Sequence, residues 1–508
     1  MHLSIDTAAP AYNGDITGAP APVVLDGTTL SPEQVVLVAR DRVPVVLAEA
    51  GLRRMAAAEA AVEQIVARQR LYGRNTGVGA NRSEDLTEDD QRGHGLRLLR
   101  SHAGGMGELL SAEQARAMLV VRVNQLLAGG AGLRPVIAET LAAGLNAGCY
   151  PGVHEFGAIG TGDLTALAET GLVLIGERPW LGTNPGPPPI TMATGDALAL
   201  ISSNALTIGL AALAWQAARE LVNATHLVAG LSFLAVDGSL EPYAERVHAA
   251  RPHPGQVWVA ARMRALLEPV AGEPARVQDP FGYRCFPQVH GVATDTLDAL
   301  AQVLSVEVNA AAENPLIWAD DGAAYHHGGF HCAALGMAMD TMRLALLHTG
   351  QLSTARLGTL LEPAFTGGRP FLAEGPTGSS GLMILEYSAH SALAEVRNTA
   401  SPASLGHAVV SRGVEDHSSF AFQSARQSGR AVAALRLTLA CELLAAVRAL
   451  RLRAVPPAGN TVLGEAYRLV VDAVDPSVLD HSLSPDVKVA GLLLSRLATL
   501  DQPVLGSR

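Results

Sequence analysis

Residues 332–361 read CAALGMAMDTMRLALLHTGQLSTARLGTLL. This apolar stretch at helical spacing is long enough to cross a helical bundle, and its small residues permit the close approach of a neighbouring helix. Residues 113–128 (EQARAMLVVRVNQLLA), 297–311 and 429–452 have the same character. A legible helix start stands at Ser31-Pro32-Glu33, where a capping hydroxyl precedes proline at the first helical position. Hydrophobic residues make up 48% of the 508 and aromatics only 4%, so the core is built from Ala, Leu and Val, which favours close-packed helices. The reading is a mainly α fold: an elongated bundle of long central helices with a smaller mixed N-terminal region.

Residues 1–26 are polar and rich in Ala, Pro and Gly, and read as a flexible arm without the basic start and apolar core of a signal peptide. Residues 27–190 form the N-terminal region, which ends in the proline-rich connection 177–190 (ERPWLGTNPGPPPI); residues 191–508 form the helical body. The 37 basic against 48 acidic residues give a net charge of −11, which leaves no basic field for a phosphate backbone and argues against a nucleic-acid partner. The best membrane candidate, 197–218, is interrupted by Ser202, Ser203, Asn204 and Thr207 and reads as a buried core helix. Cys149, Cys285, Cys332 and Cys441 are too scattered for a disulfide framework or zinc spacing, which fits a reducing cytoplasm.

Glycine-rich irregular segments lie between the helices, at 72–81, 152–162, 281–291, 326–331 and 377–381, where connections of that length usually carry function. His326-His327-Gly-Gly-Phe-His331 lacks a carboxylate or cysteine at matching spacing, so no metal is expected. Glu415-Asp416-His417, read as helical, points its three side chains in different directions, so at most one of them meets a given substrate. Gly157-Ala-Ile-Gly160-Thr-Gly162 lacks the spacing and preceding strand of a dinucleotide fingerprint.

Taken in order, these segments resemble the aromatic amino acid ammonia-lyase family of histidine, phenylalanine and tyrosine enzymes and related aminomutases. The pieces are Tyr72-Gly-Arg-Asn-Thr-Gly-Val-Gly79, Ser101-His102, Gly157 to Leu164, Arg251-Pro-His-Pro-Gly-Gln256, Gln278-Asp-Pro-Phe-Gly-Tyr-Arg284, Pro287-Gln-Val-His-Gly291, Phe330-His331, Ser380-Gly-Leu-Met383 and Glu415-Asp-His417. The resemblance implies the elongated helical fold in a homotetramer whose sites combine loops from three subunits. Its chemistry is loss of ammonia from an α-amino acid, assisted by methylidene-imidazolone made from an internal Ala-Ser-Gly. It implies Tyr72 as the base, Arg284 as the carboxylate clamp and Phe330 beside the electrophile. Glu415 then lies near the substrate ring, and His102 stands where the histidine enzymes carry their ring-selecting histidine. Gln278, Phe281 and Ser202 complete the substrate-binding set.

The departures cluster at the reaction centre. Gly160-Thr161-Gly162 replaces Ala-Ser-Gly, with the loop read as one residue shorter, so no methylidene-imidazolone is expected. The asparagine after Leu-Ile becomes Ser202, the second tyrosine becomes Phe281, and the asparagine before Phe330 becomes Gly329. Just before the loop, His154-Glu155 is an acid–base pair that would approach the vacated position. Two readings follow, beside the alternative of an ordinary aromatic amino acid ammonia-lyase or aminomutase with an unusual cofactor. One is an enzyme keeping the Tyr72 base and Arg284 clamp for an elimination, addition, isomerisation or cyclisation on a small carboxylate-bearing substrate. The other is a non-catalytic binding homologue. The intact Asp163-Leu164, Arg284 and 287–291 beside the altered centre favour the enzyme, since random decay would scatter changes over scaffold and site alike.

Overall fold

The computed structural model describes residues 21–500, and the architecture is mainly helical. Four of the sequence-read helices appear as Ala112–Leu127, Phe286–Glu307, Ala333–Leu361 and Ala421–Leu452. At 1.5 Å per residue the last of them spans about 48 Å. It packs along Ala205–Ala235, Ala333–Leu361 and Met383–Thr399, and Ala333–Leu361 packs in turn on Phe286–Glu307. Apolar residues from Val23 to Ala498 form one continuous core, so the 190/191 division falls within a single packed unit. The segment Asp196–Ala235 is long and apolar enough to cross a membrane by composition, but 94% of its most apolar window is buried inside this fold.

The strands are short and pair only in twos among the described residues. Val23–Leu25 pairs in parallel with Val45–Leu47, while Met106–Leu109 with His154–Phe156 and Tyr150–Pro151 with Trp180–Leu181 are antiparallel. Three of the four ribbons thus lie in the N-terminal region, and the fourth joins Leu316–Trp318 to Ala323–Tyr325. The 1–26 arm is corrected at its end: Val23 and Leu25 alternate into the core and carry a strand. Residues 1–20 lie outside the described residues. A three-residue strand, His154–Phe156, does precede the Gly157–Gly162 segment, but it belongs to an antiparallel ribbon and not to the parallel sheet of a dinucleotide fold.

The start at Ser31 is a full capping box: the Ser31 hydroxyl accepts from Gln34 N, and Gln34 Oε1 accepts from Ser31 N at 2.9 Å. Deeper in, charged groups fasten the long helices. Arg356 and Glu442, both fully buried, pair through two contacts at 2.6 and 2.9 Å, and the Ser232 hydroxyl donates to the same carboxylate at 2.7 Å. Arg122 meets Glu313 at 2.7 Å and also donates to Leu200 O, tying the 112–127 helix to the segments beneath the candidate site.

Candidate active site

A cavity of roughly 960 Å³ opens where the 72–86 loop, the end of the Glu88–His102 helix, the Thr161–Leu164 turn, the 198–203 segment and the loops at 314–330 and 411–415 converge. Of the residues singled out by sequence, Tyr72, His102, Thr161, Ser202, Phe330 and Glu415 line it together. The loops bring them there from positions hundreds of residues apart.

Tyr72 is fixed at both ends. Its hydroxyl accepts from the Gly79 backbone N–H at 2.6 Å, and its own N–H donates to His326 Nε2 at 3.2 Å. Burial holds the phenol above its ordinary pKa, and the Glu415 charge pushes the same way. The Gly79 N–H and the Arg82 guanidinium oppose them. Glu415 does not sit on a helix as read from sequence. It lies in a tight turn closed by Val410 N donating to Glu415 O at 2.9 Å, with Ser411 and Arg412 at positive φ. Its half-buried carboxylate has no hydrogen-bond or ion-pair partner among the described residues.

The Gly160–Gly162 turn is pinned to the start of the Ala421–Leu452 helix. Phe420 N donates to Ile159 O at 2.9 Å, the Ser419 hydroxyl to Gly160 O at 2.9 Å, and Gln423 Nε2 to Ala158 O at 2.8 Å. Gly160 has φ +85°. A Cβ there would lie 2.1 Å from Ser419 Oγ and 2.9 Å from Phe420 N, so the backbone conformation and the available space both demand glycine. Asp163 closes the turn from below: its N–H donates to Ser203 O at 2.7 Å, and its carboxylate accepts from Thr207 N and Oγ1 at 2.7 and 2.8 Å. Complete burial pushes the Asp163 pKa up to about 6 against those bonds. Thr161 itself lines the cavity, and its hydroxyl has no hydrogen-bond partner among the described residues.

Around this centre His102 Nδ1 lies 3.0 Å from Leu98 O, Ser202 Oγ accepts from Asn314 N at 3.0 Å, and Phe330 O accepts from Asn204 Nδ2 at 2.5 Å. The remaining sequence-read residues stand elsewhere. Gln278 and Phe281 are exposed, and Arg284 stacks over the Phe281 ring at 4.4 Å with its buried Nε unpaired; none of the three lines the cavity of its own chain. His154 and Glu155 also lie outside the lining, which differs from the expectation that they approach the turn. His154 Nδ1 meets Glu169 at 2.6 Å and Glu155 meets Arg426 at 2.5 Å, so both side chains are engaged in fastening their strand. Sequence reasoning missed Asn314 and His326 in the lining. The adjacent His326-His327 before Phe330, in the irregular segment 326–331, is the signal that could have found the second of them.

Residues 30–474 match the family described as aromatic amino acid lyase. Histidine ammonia-lyase of Geobacillus thermodenitrificans is 34% identical over 503 residues, covering 94% of this chain and 98% of that protein. Among solved structures, histidine ammonia-lyase from Trypanosoma cruzi superposes with a TM-score of 0.88 at 28% identity over 95% of this chain and 96% of its own. Tyrosine aminomutase from Streptomyces globisporus gives 0.88 at 29% identity over 94% and 97%.

Proposed function

The chain belongs to the aromatic amino acid lyase family, and from that premise we propose that it is a lyase working without methylidene-imidazolone, with Tyr72 moving the proton of a small carboxylate-bearing substrate. The observation that carries this reading is Thr161 in the precursor position, on a backbone with no room for a Cβ at Gly160. The residues present do not fit the group. Dehydration of a threonine side chain leaves an ethylidene and not a methylidene, and the alanine that precedes the serine in Ala-Ser-Gly would collide with Ser419 and Phe420.

The residues that remain supply a base, a cation and polar contacts. Tyr72, as phenolate, accepts a proton that an electron-withdrawing group of the substrate, such as a carbonyl, has already made acidic. The released electron pair then expels a leaving group, shifts a double bond or closes a ring, and these outcomes are the elimination, isomerisation and cyclisation of this reading; addition is elimination in reverse. Arg284, with its guanidinium fork unpaired at Nε, is the carboxylate clamp, delivered to the cavity by a neighbouring subunit of a homotetramer.

Turnover of the protein's substrate by a Tyr72→Phe variant should fall by about a hundredfold or more, the usual contribution of a positioned base, with folding unchanged. An undiminished rate would refute this assignment. The names of the histidine ammonia-lyase relatives favour a second reading, ordinary ammonia release from histidine or an aromatic amino acid. Sustained conversion of histidine, phenylalanine or tyrosine to its acrylate by the wild-type protein would establish that reading instead.

A further inference from the structure

The two adjacent histidines before Phe330 have different surroundings. His327 is saturated: Nε2 donates to Glu313 O at 2.8 Å, Nδ1 accepts from Gly329 N at 2.8 Å, and its backbone N–H donates to Asn314 Oδ1 at 3.1 Å. Its ring fills the space a Cβ on Gly329 would need, 2.7 Å from Nδ1, so the glycine there is the counterpart of the histidine. Glu313 is buried against Arg122, so the loop is anchored to the rigid frame below. That anchoring sets His326 at the cavity wall, with Nε2 accepting the Tyr72 N–H.

An imidazole that accepts through Nε2 carries its proton on Nδ1. Among the described residues Nδ1 has no partner. We propose that His326 is a substrate-binding residue, presenting a neutral Nδ1–H donor to an anionic oxygen of the ligand, the carboxylate in the first instance. This rests on the carboxylate-bearing substrate proposed above. The tie to Tyr72 gives it a second consequence: the base and this donor are held in one fixed relation, so the oxygen accepting from His326 is positioned relative to the phenol.

The test is calorimetric titration of the full-length protein with two acrylates, trans-cinnamate and trans-imidazolylacrylate, and with the matching propenyl compounds in which a methyl group replaces the carboxylate. His326→Gln puts an acceptor where Nε2 stood and leaves no donor at Nδ1, whereas His326→Asn puts a donor near Nδ1. Acrylate affinity should drop about ten- to a hundredfold in His326→Gln, the effect of one lost hydrogen bond to a charged group, and recover in part in His326→Asn. The propenyl compounds should bind wild type and variants alike, with melting temperatures unchanged. Equal weakening of acrylate and propenyl binding, or no weakening in His326→Gln, would overturn the assignment while leaving the proposed function standing. Failure of wild type to bind either acrylate would overturn both.

Discussion

At the scale of single residues, a phenol and a carboxylate, Tyr72 and Glu415, share one cavity. Glu415 opposes ionisation of Tyr72, so Glu415→Gln removes a negative charge near the phenolate and should lower the Tyr72 pKa. Near-ultraviolet titration of tyrosinate, with Tyr72→Phe as the blank, should show that ionisation moving to lower pH. A base-dependent rate would begin to rise at lower pH with it, and no movement, or movement upward, would exclude the coupling. Much of this was legible in sequence, because Tyr72, Thr161 and Glu415 sit in short glycine-bearing segments whose order carries meaning without knowledge of the packing. The surroundings of His154 and Glu155 were not. Their partners, Glu169 and Arg426, lie 15 and 271 residues away, and nothing in a local stretch announces a pairing of that kind.

At the scale of elements, the long helices were readable, and two of their starts, Ala112 and Ala333, fall within one residue of the reading, while the other two do not. Ala421–Leu452 begins eight residues ahead of the Gly429 read from sequence because Ser424 and Ser428 look like surface residues but are buried. Their hydroxyls accept from Arg343 at 2.6 and 3.3 Å, which makes a polar stretch an interior one. Phe286–Glu307 likewise starts well before Leu297, with Pro287 in its first turn and His290 buried. Arg356–Glu442 joins Ala333–Leu361 to Ala421–Leu452, and Arg356 also donates to Gly282 O at 3.1 Å and so holds the segment that carries Arg284. Glu442→Gln leaves a buried guanidinium without its counter-charge. It should cost about 3–5 kcal/mol, read as a lower denaturation midpoint, and Arg284 should lose its placement with it. An unchanged midpoint would show that the pair contributes nothing to the joint.

At the scale of the whole molecule, the central helices leave Val292, Met337, Leu344, Ile384, Tyr387 and Leu437 exposed on one chain, and Arg284, with its buried Nε unpaired, does not line its own chain's cavity. The proposed homotetramer would account for both, and light scattering at micromolar concentration should then give four times the 52.7 kDa chain. A stable monomer would leave the site without its carboxylate clamp and would favour a binding protein over an enzyme. The reaction proposed for this assembly depends in turn on an uncyclised Gly160–Gly162 turn. The most direct measurement is the intact mass of the purified protein, with peptide mapping across residues 160–162. An uncyclised turn gives a mass equal to that of the unmodified sequence, whereas a loss of two waters localised to the peptide containing Thr161 would contradict the proposed function.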